Sequence, residues 1–189
     1  MTSSLGQIYL ESAVKRLLTY KTLGDATFAQ LEDDDFYFVP VPSANAPVAH
    51  SNSIAVIIHH LHGNMLSRWT NFLTGDGEKP GRNRDQEFTP PAGGKKALIA
   101  LWEEGWNCLL DTLRSLKEED LLATIRIRHE PLVAIDAINR QLAHYPHHVG
   151  QIVYIGKMIR GEAWKSLSIP PGASQQFNRE MKEKHDAGK

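Results

Sequence analysis

The sequence predicts an all-α fold, a four-helix bundle. Four long stretches repeat apolar residues at helical spacing, and the connections between them are unequal in length and rich in turn residues. Only one short stretch, Ile125-Arg126-Ile127-Arg128, alternates in the way a strand does, which is too little to imply a sheet. A length of 189 residues suits one domain with a substantial core, so 1–189 is read as a single bundle.

The first helix spans about Ser4 to Leu31, with Leu5, Ile8, Val14, Leu17, Leu18, Phe28 and Leu31 recurring along it, and Ser3 or Ser4 available as a cap. A bend is expected at Gly24-Asp25. Glu32-Asp33-Asp34-Asp35, then Phe36-Tyr37-Phe38 and Pro40, Pro42 and Pro47, cannot continue a helix and predict a long surface connection. Ser51, Asn52 or Ser53 caps the second helix, which carries Ile54, Ile57, Ile58, Leu61, Met65, Trp69 and Phe72 to near Thr74-Gly75. Gly75 to Gly94 then holds five glycines, three prolines and a polar string, a loop of the length that often serves as a lid. The third helix runs from about Lys95 to Lys117. It places Leu98, Leu101, Trp102, Trp106, Leu109, Leu113 and Leu116 on the buried side, with Cys108 beside them. Pro131 fits a first helical position, so the fourth helix is expected from there to about Ile159. Trp164, Pro170-Pro171 and a polar helix from about Ser174 form a tail.

Several function classes drop out on composition. Lys plus Arg at 21 against Asp plus Glu at 22 supplies no basic field for nucleic acid. The one cysteine cannot form an internal disulfide, and no apolar run reaches the roughly 20 residues of a membrane span. The first residues, Met1 to Gly6, have neither the basic nor the apolar region of a signal peptide, which makes the cytoplasm the expected location.

Histidine carries the chemistry. In Ala143-His144-Tyr145-Pro146-His147-His148-Val149-Gly150-Gln151, His144 and His148 are four apart and share one helix face, where two imidazoles can grip one metal ion. On a wheel of about 100° per residue, Gln141, His144, His148 and Ile155 form a stripe beside the apolar face. His147 points away and is read as solvated or as a support behind a ligand. Pro146 removes a backbone donor and crowds the carbonyl of Leu142, so a kink is expected between the two ligands. A third ligand has to come from His59-His60-Leu61-His62. These three point in different directions: His62 lies nearest the apolar stripe, His60 shares a row with Ile57 and Asn64, and periodicity does not choose among them.

The string Ser53-Ile54-Ala55-Val56-Ile57-Ile58-His59-His60-Leu61, together with His144-x-x-His147-His148-x-Gly150-Gln151, resembles the DinB (damage-inducible) metal-binding superfamily. The likeness covers nearly the whole chain. Asn64-Met65-Leu66-Ser67-Arg68-Trp69, the Glu78-Lys79-Pro80 to Arg82-Asn83-Arg84-Asp85 loop and His148-Val149-Gly150-Gln151-Ile152-Val153-Tyr154 resemble one uncharacterised branch of it. The resemblance implies an up-down-down-up bundle, commonly a homodimer, with His60, His144 and His148 as the metal ligands. The better understood relatives are metal-dependent thiol transferases and isomerases that use low-molecular-weight thiols such as bacillithiol or mycothiol.

Three neutral imidazoles leave a coordination position open, as in a catalytic rather than a structural site. Zn²⁺ or Ni²⁺ is expected first, and manganese or iron also tolerates such ligands. A thiol or water in the open position would be activated as a nucleophile. Asn64 and Gln141 lie within about a turn of a ligand and can orient an imidazole or meet substrate, or are ordinary polar residues. Arg82 and Arg84 can close over an anionic thiol or carboxylate, or are simply solvated. Cys108 can be a redox thiol, though a lone cysteine beside a core stripe is more often inert and buried, and Trp102 and Trp106 read as core. A zincin protease is excluded because no glutamate follows His144, and a di-iron bundle because no Glu-x-x-His motif exists. The expected function is a metal-dependent thiol transferase acting on small electrophiles. The alternatives are a non-catalytic metal-binding stress-response bundle, with its cleft plugged by side chains or by the Gly75 to Gly94 loop, and a structural dimer.

Overall fold

A computed structural model describes residues 3–40 and 52–186. Four helices form the bundle: α1 (Leu5–Phe28), α2 (Ile54–Trp69), α3 (Gly94–Ser115) and α4 (Ala134–Arg160). A hairpin of β1 (Thr124–Ile127) and β2 (Glu130–Val133) precedes α4, and α5 (Ser174–Asp186) follows it. No described helix is long and apolar enough to cross a membrane.

Cross-helix contacts give the direction of each helix. Tyr9 Oη lies 2.7 Å from Asn139 Oδ1, and farther along Thr27 packs against Gly156, so α1 and α4 run parallel. His62 Nε2 lies 2.9 Å from Glu104, and Thr112 donates to the carbonyl of Trp69 at 3.2 Å, so α2 and α3 also run parallel. Lys21 meets Glu103 at 2.8 Å while Gly6 N donates to Glu118 Oε1 at 3.3 Å, which makes α1 and α3 antiparallel. The order is therefore up-down-down-up. A parallel pair cannot be joined by a short turn, so α2 and α3 require the long connection that carries the polar loop.

The starts of α1, α2 and α3 follow from capping chemistry. Ser4 accepts from Gln7 N at 3.2 Å and Ser53 from Val56 N at 3.3 Å, each satisfying an amide at a helix start. Asp33, from the acidic run, accepts from Lys95 N at 2.7 Å and so caps α3 from across the fold. Ser51, Pro42 and Pro47 lie outside the described residues. α1 continues as one helix through Gly24-Asp25, and Gly24 is required because a Cβ there would collide with the Trp102 ring. The connection after α1 is less exposed than expected, since Phe36 is fully buried with its ring centroid 5.2 Å from that of Phe28.

Other boundaries move as well. α2 stops at Trp69 rather than near Thr74, because Asn71 adopts φ 51° and its carbonyl accepts from Thr74 N and Gly75 N. Pro131 does not open α4; it lies in β2 opposite Arg126, and the helix begins at Ala134. Of the Ile125 to Arg128 stretch, all but Arg128 belongs to β1, with Ile125 and Ile127 buried, and β1 does form a two-stranded sheet with β2. Its turn places Arg128 at φ 55° and His129 at φ 66°, a conformation that favours glycine. Asp76 offsets that strain. One carboxylate oxygen accepts from Arg128 N at 2.8 Å and the other from His129 N at 2.7 Å. The tail helix α5 appears where expected but buries no residue.

The core is continuous through all four helices, and Trp69, Trp102, Trp106 and Tyr145 are its largest members. Tyr145 is also its polar hinge. Trp69 Nε1 donates to Tyr145 Oη at 2.9 Å, and that hydroxyl donates to Asn64 Oδ1 at 3.1 Å. Replacing Tyr145 with Phe strands the buried indole N–H, with an expected loss of about 1–3 kcal/mol. Thermal unfolding should fall by roughly 2–4 °C for each kcal/mol in a chain of this size; an unchanged Tm would contradict this role for the hydroxyl.

Asp76 gives a pH dependence. The backbone N–H groups of Glu78, then His129 and Arg128, hold its carboxyl at about 2, below its usual 3.8. A depressed carboxyl stabilises the fold above its unfolded pKa, and that contribution fades as pH falls from about 4 to about 2. Asp76→Asn should therefore be less stable than wild type at pH 7, with the gap closing towards pH 2. Denaturant melts at both pH values measure it, and a gap constant with pH counts against the assignment.

Candidate metal centre

The row Ile57, His60, Asn64 and Arg68 faces α4 from α2, and His144 and His148 face back from α4. α2 and α4 run antiparallel, which sets His60 opposite both. Its Nε2 lies 3.5 Å from His144 Nε2, which is 3.1 Å from His148 Nε2. Nitrogens bound at 2.0–2.1 Å to a tetrahedral ion would sit roughly 3.3–3.4 Å apart. The three expected ligands therefore stand at the spacing of a shared ion, with a ligand atom from each within 4.8 Å of the others, and could hold a metal. α4 is unbroken across Pro146, and the histidines on either side of it still converge.

The other histidines of α2 are engaged elsewhere: His59 Nδ1 with the carbonyl of Thr89 at 3.0 Å, His62 with Glu104. His147 is exposed and meets Gln151 at 2.9 Å.

The protonation pattern follows from Glu87, in the short turn Gln86–Phe88 of the crossover. This residue is buried, and its Oε2 lies 2.9 Å from His60 Nδ1. Arg82 grips the same carboxylate in a fork, Nε to Oε1 at 2.6 Å and Nη2 to Oε2 at 2.8 Å. Burial pushes the Glu87 carboxyl up, but the hydrogen bonds from His60 and Arg82 and the Arg82 charge outweigh it and hold it at about 2. An ionised carboxylate only accepts, so His60 must donate from Nδ1. In the neutral ring that leaves the lone pair on Nε2, which faces the other two rings.

Burial, then the charge of neighbouring His148 and His60, pushes His144 down to about 3. Burial and then His60 push His148 to about 4. Both rings are therefore neutral at physiological pH, as metal ligation needs. Among the described residues their buried Nδ1 atoms have no partner, and of the three only His60 has carboxylate support there. One proton could bridge only one of the close Nε2 contacts; a cation among the three nitrogens relieves them all.

The histidines line a cavity of about 260 Å³. Arg82 and Arg84 line it from the crossover, Arg82 held by Glu87 and Glu78 and Arg84 exposed. Asn64 lines it too, though it touches Tyr145 rather than an imidazole. Gln141 is buried one cavity over, with Asn64, Arg68 and His144, and its Oε1 has no partner among the described residues. Cys108 is half-buried and contacts Thr70 at 3.7 Å, and burial first pushes its thiol up, which leaves it a poor nucleophile.

Sequence reasoning missed Glu87, Arg68, Arg128 and Arg140. Arg68 was findable, since it continues the row of Ile57, His60 and Asn64 by one more turn. Glu87 was not, because nothing local marks a carboxylate in an irregular loop as the partner of a histidine 27 residues earlier. The crossover is fastened to α2, with Ser67 Oγ donating to the carbonyl of Gly77 at 2.8 Å and accepting from Lys79 N at 3.1 Å.

Neither a curated protein nor a solved structure matches the chain. The model of a family described as a protein of unknown function, DUF1572, matches residues 4–173, and the chain belongs to that family.

Proposed function

We propose that the protein is a divalent-metal-dependent enzyme of the thiol-transferase type, acting on small electrophiles with a low-molecular-weight thiol. The observation that carries this reading is the convergence of three imidazole Nε2 atoms at the wall of a cavity instead of inside a closed core. The likeness to the DinB superfamily supports it, because His60, His144 and His148 match the ligand positions of that motif. A non-catalytic metal holder would be expected to plug its cleft; the crossover residues Arg82 and Arg84 instead line the cavity.

In this reading His60, His144 and His148 hold a divalent ion of the zinc or nickel kind, with manganese or iron also accommodated. The ion supplies positive charge that lowers the pKa of a thiol or water brought to its open side. Glu87 keeps the His60 proton on Nδ1 and strengthens that ring as a donor. Val56 and Ile57 make part of the wall apolar, which strengthens electrostatic interactions beside it. The arginines orient whatever enters.

Protein purified without a histidine tag should carry about one metal ion per chain, read by elemental analysis, and a His144→Ala, His148→Ala double variant should carry none. Thiol-transfer assays with bacillithiol, mycothiol and simple thiols across several electrophiles should then give turnover in wild type alone. No metal in wild type, or equal metal in the variant, removes the reading. Glu87→Gln preserves shape but takes away the charged acceptor, and should weaken metal binding roughly 10–100-fold in a chelator competition. The family likeness also implies a homodimer, for which light scattering should return twice the chain mass.

A further inference from the structure

The cavity beside the histidines carries more positive charge than the chain as a whole suggests. Arg68, Arg82, Arg84, Arg128 and Arg140 all line it, in a protein whose formal net charge is −1. Two carboxylates answer them. Glu87 is occupied by Arg82 and His60. Glu78 is shared by Arg68 and Arg128, each at 3.1 Å, and by Arg82 at 3.5 Å. Five guanidiniums against two carboxylates leave a surplus of three. Arg84 and Arg140 have no carboxylate partner among the described residues, and residues 41–51 contain no Asp or Glu to supply one.

Two further features point the same way. The Arg82 side chain is only 5% exposed, yet among the described residues its buried Nη1 makes no hydrogen bond and has only the 3.5 Å ion pair with Glu78, the longest of that carboxylate's three. The N-terminal end of α2, through Asn52 and Val56, borders the same space and adds the positive end of a helix dipole. Like charges gathered on a partly dry wall repel one another unless an anion lies among them. Guanidinium is also the group best shaped to take planar or tetrahedral oxyanions through paired hydrogen bonds. The volume, about 260 Å³, falls just below the roughly 300–1,000 Å³ of ordinary ligand pockets, which suits a small molecule.

We infer that the cavity binds a small molecule carrying at least two anionic oxygen groups, carboxylate or phosphoryl, placed against Arg82, Arg84 and Arg140 with its reactive end towards His60, His144 and His148. The placement of the reactive end rests on the metal-enzyme reading; the anion wall stands on the arginines alone.

The test is calorimetric titration of the untagged, metal-stripped full chain with succinate and, separately, with inorganic phosphate; succinamide is the neutral control. Without metal, the heat reports the arginines and not a cation. At least one dianion should bind, more weakly as salt rises, and succinamide should not. An Arg84→Gln, Arg140→Gln double variant should lose at least tenfold in affinity while retaining the wild-type metal content and melting temperature; both positions are exposed, so folding is not at stake. Preference for phosphate assigns a phosphoryl-bearing ligand, and preference for succinate a polycarboxylate. If neither dianion binds, or the double variant binds as wild type does, the inference is overturned. Dianion binding by a chain that takes up no metal supports this inference and removes only the metal reading.

Discussion

The arrangement of the site depends on one buried carboxylate. An ionised Glu87 in so inaccessible a place is costly by several kcal/mol unless its oxygens are fully bonded. Arg82 takes both oxygens and His60 takes one. That pairing has three consequences at once. It keeps the carboxylate charged, it fixes the His60 proton on Nδ1, and it pins the crossover to α2. Gly63 makes the pairing sterically possible, because a Cβ at that position would collide with the Glu87 carboxylate.

The bundle's topology explains why a crossover residue reaches the site. Two antiparallel helices can be joined at one end, but α2 and α3 run parallel, so the chain must travel back along the bundle before α3 can begin. On the way it passes the cavity and deposits Arg82 and Arg84 there, with Glu87 behind His60. The β1–β2 hairpin does the same with Arg128 from another direction. Asp76, at the start of the crossover, binds both amides of the strained hairpin turn, so the two segments are locked to each other before either meets the histidines.

Local patterns in the sequence were enough for the helices and for half of the candidate site. His144 and His148 declare themselves by i, i+4 spacing on an apolar margin, because a helix turns that spacing directly into proximity. His60 was chosen over His59 and His62 by family likeness. The structure supplies the physical reason, since the other two imidazoles are bonded to Thr89 and Glu104. Pro131 misled because a proline suits both a helix start and the outward-facing nitrogen of a short strand, and only the partner Arg126 distinguishes them. The end of α2 was placed too late because Phe72 keeps the apolar period after the backbone has left the helix at Asn71. Glu87 and the arginine wall were illegible for a deeper reason. They are gathered from two irregular segments and two helices, and no spacing along the chain encodes a meeting of that kind.

Charge ties these parts together. Neutral imidazoles cannot cancel the charge of a divalent ion, and the carboxylate nearest to them is already matched by Arg82. Apart from Asn52 and Asn64, the rest of the lining is cationic or apolar, so a metal at the histidines would strengthen the field of the arginines rather than weaken it. A second cation is repelled from such a space, and a neutral molecule gains little there. An anion interacts favourably with the ion and with Arg84 and Arg140 at the same time, and each interaction is stronger for the low polarity of Val56 and Ile57. Selectivity of this sort comes from the surplus of positive charge, not from the three histidines, which would accept many ligands on their own.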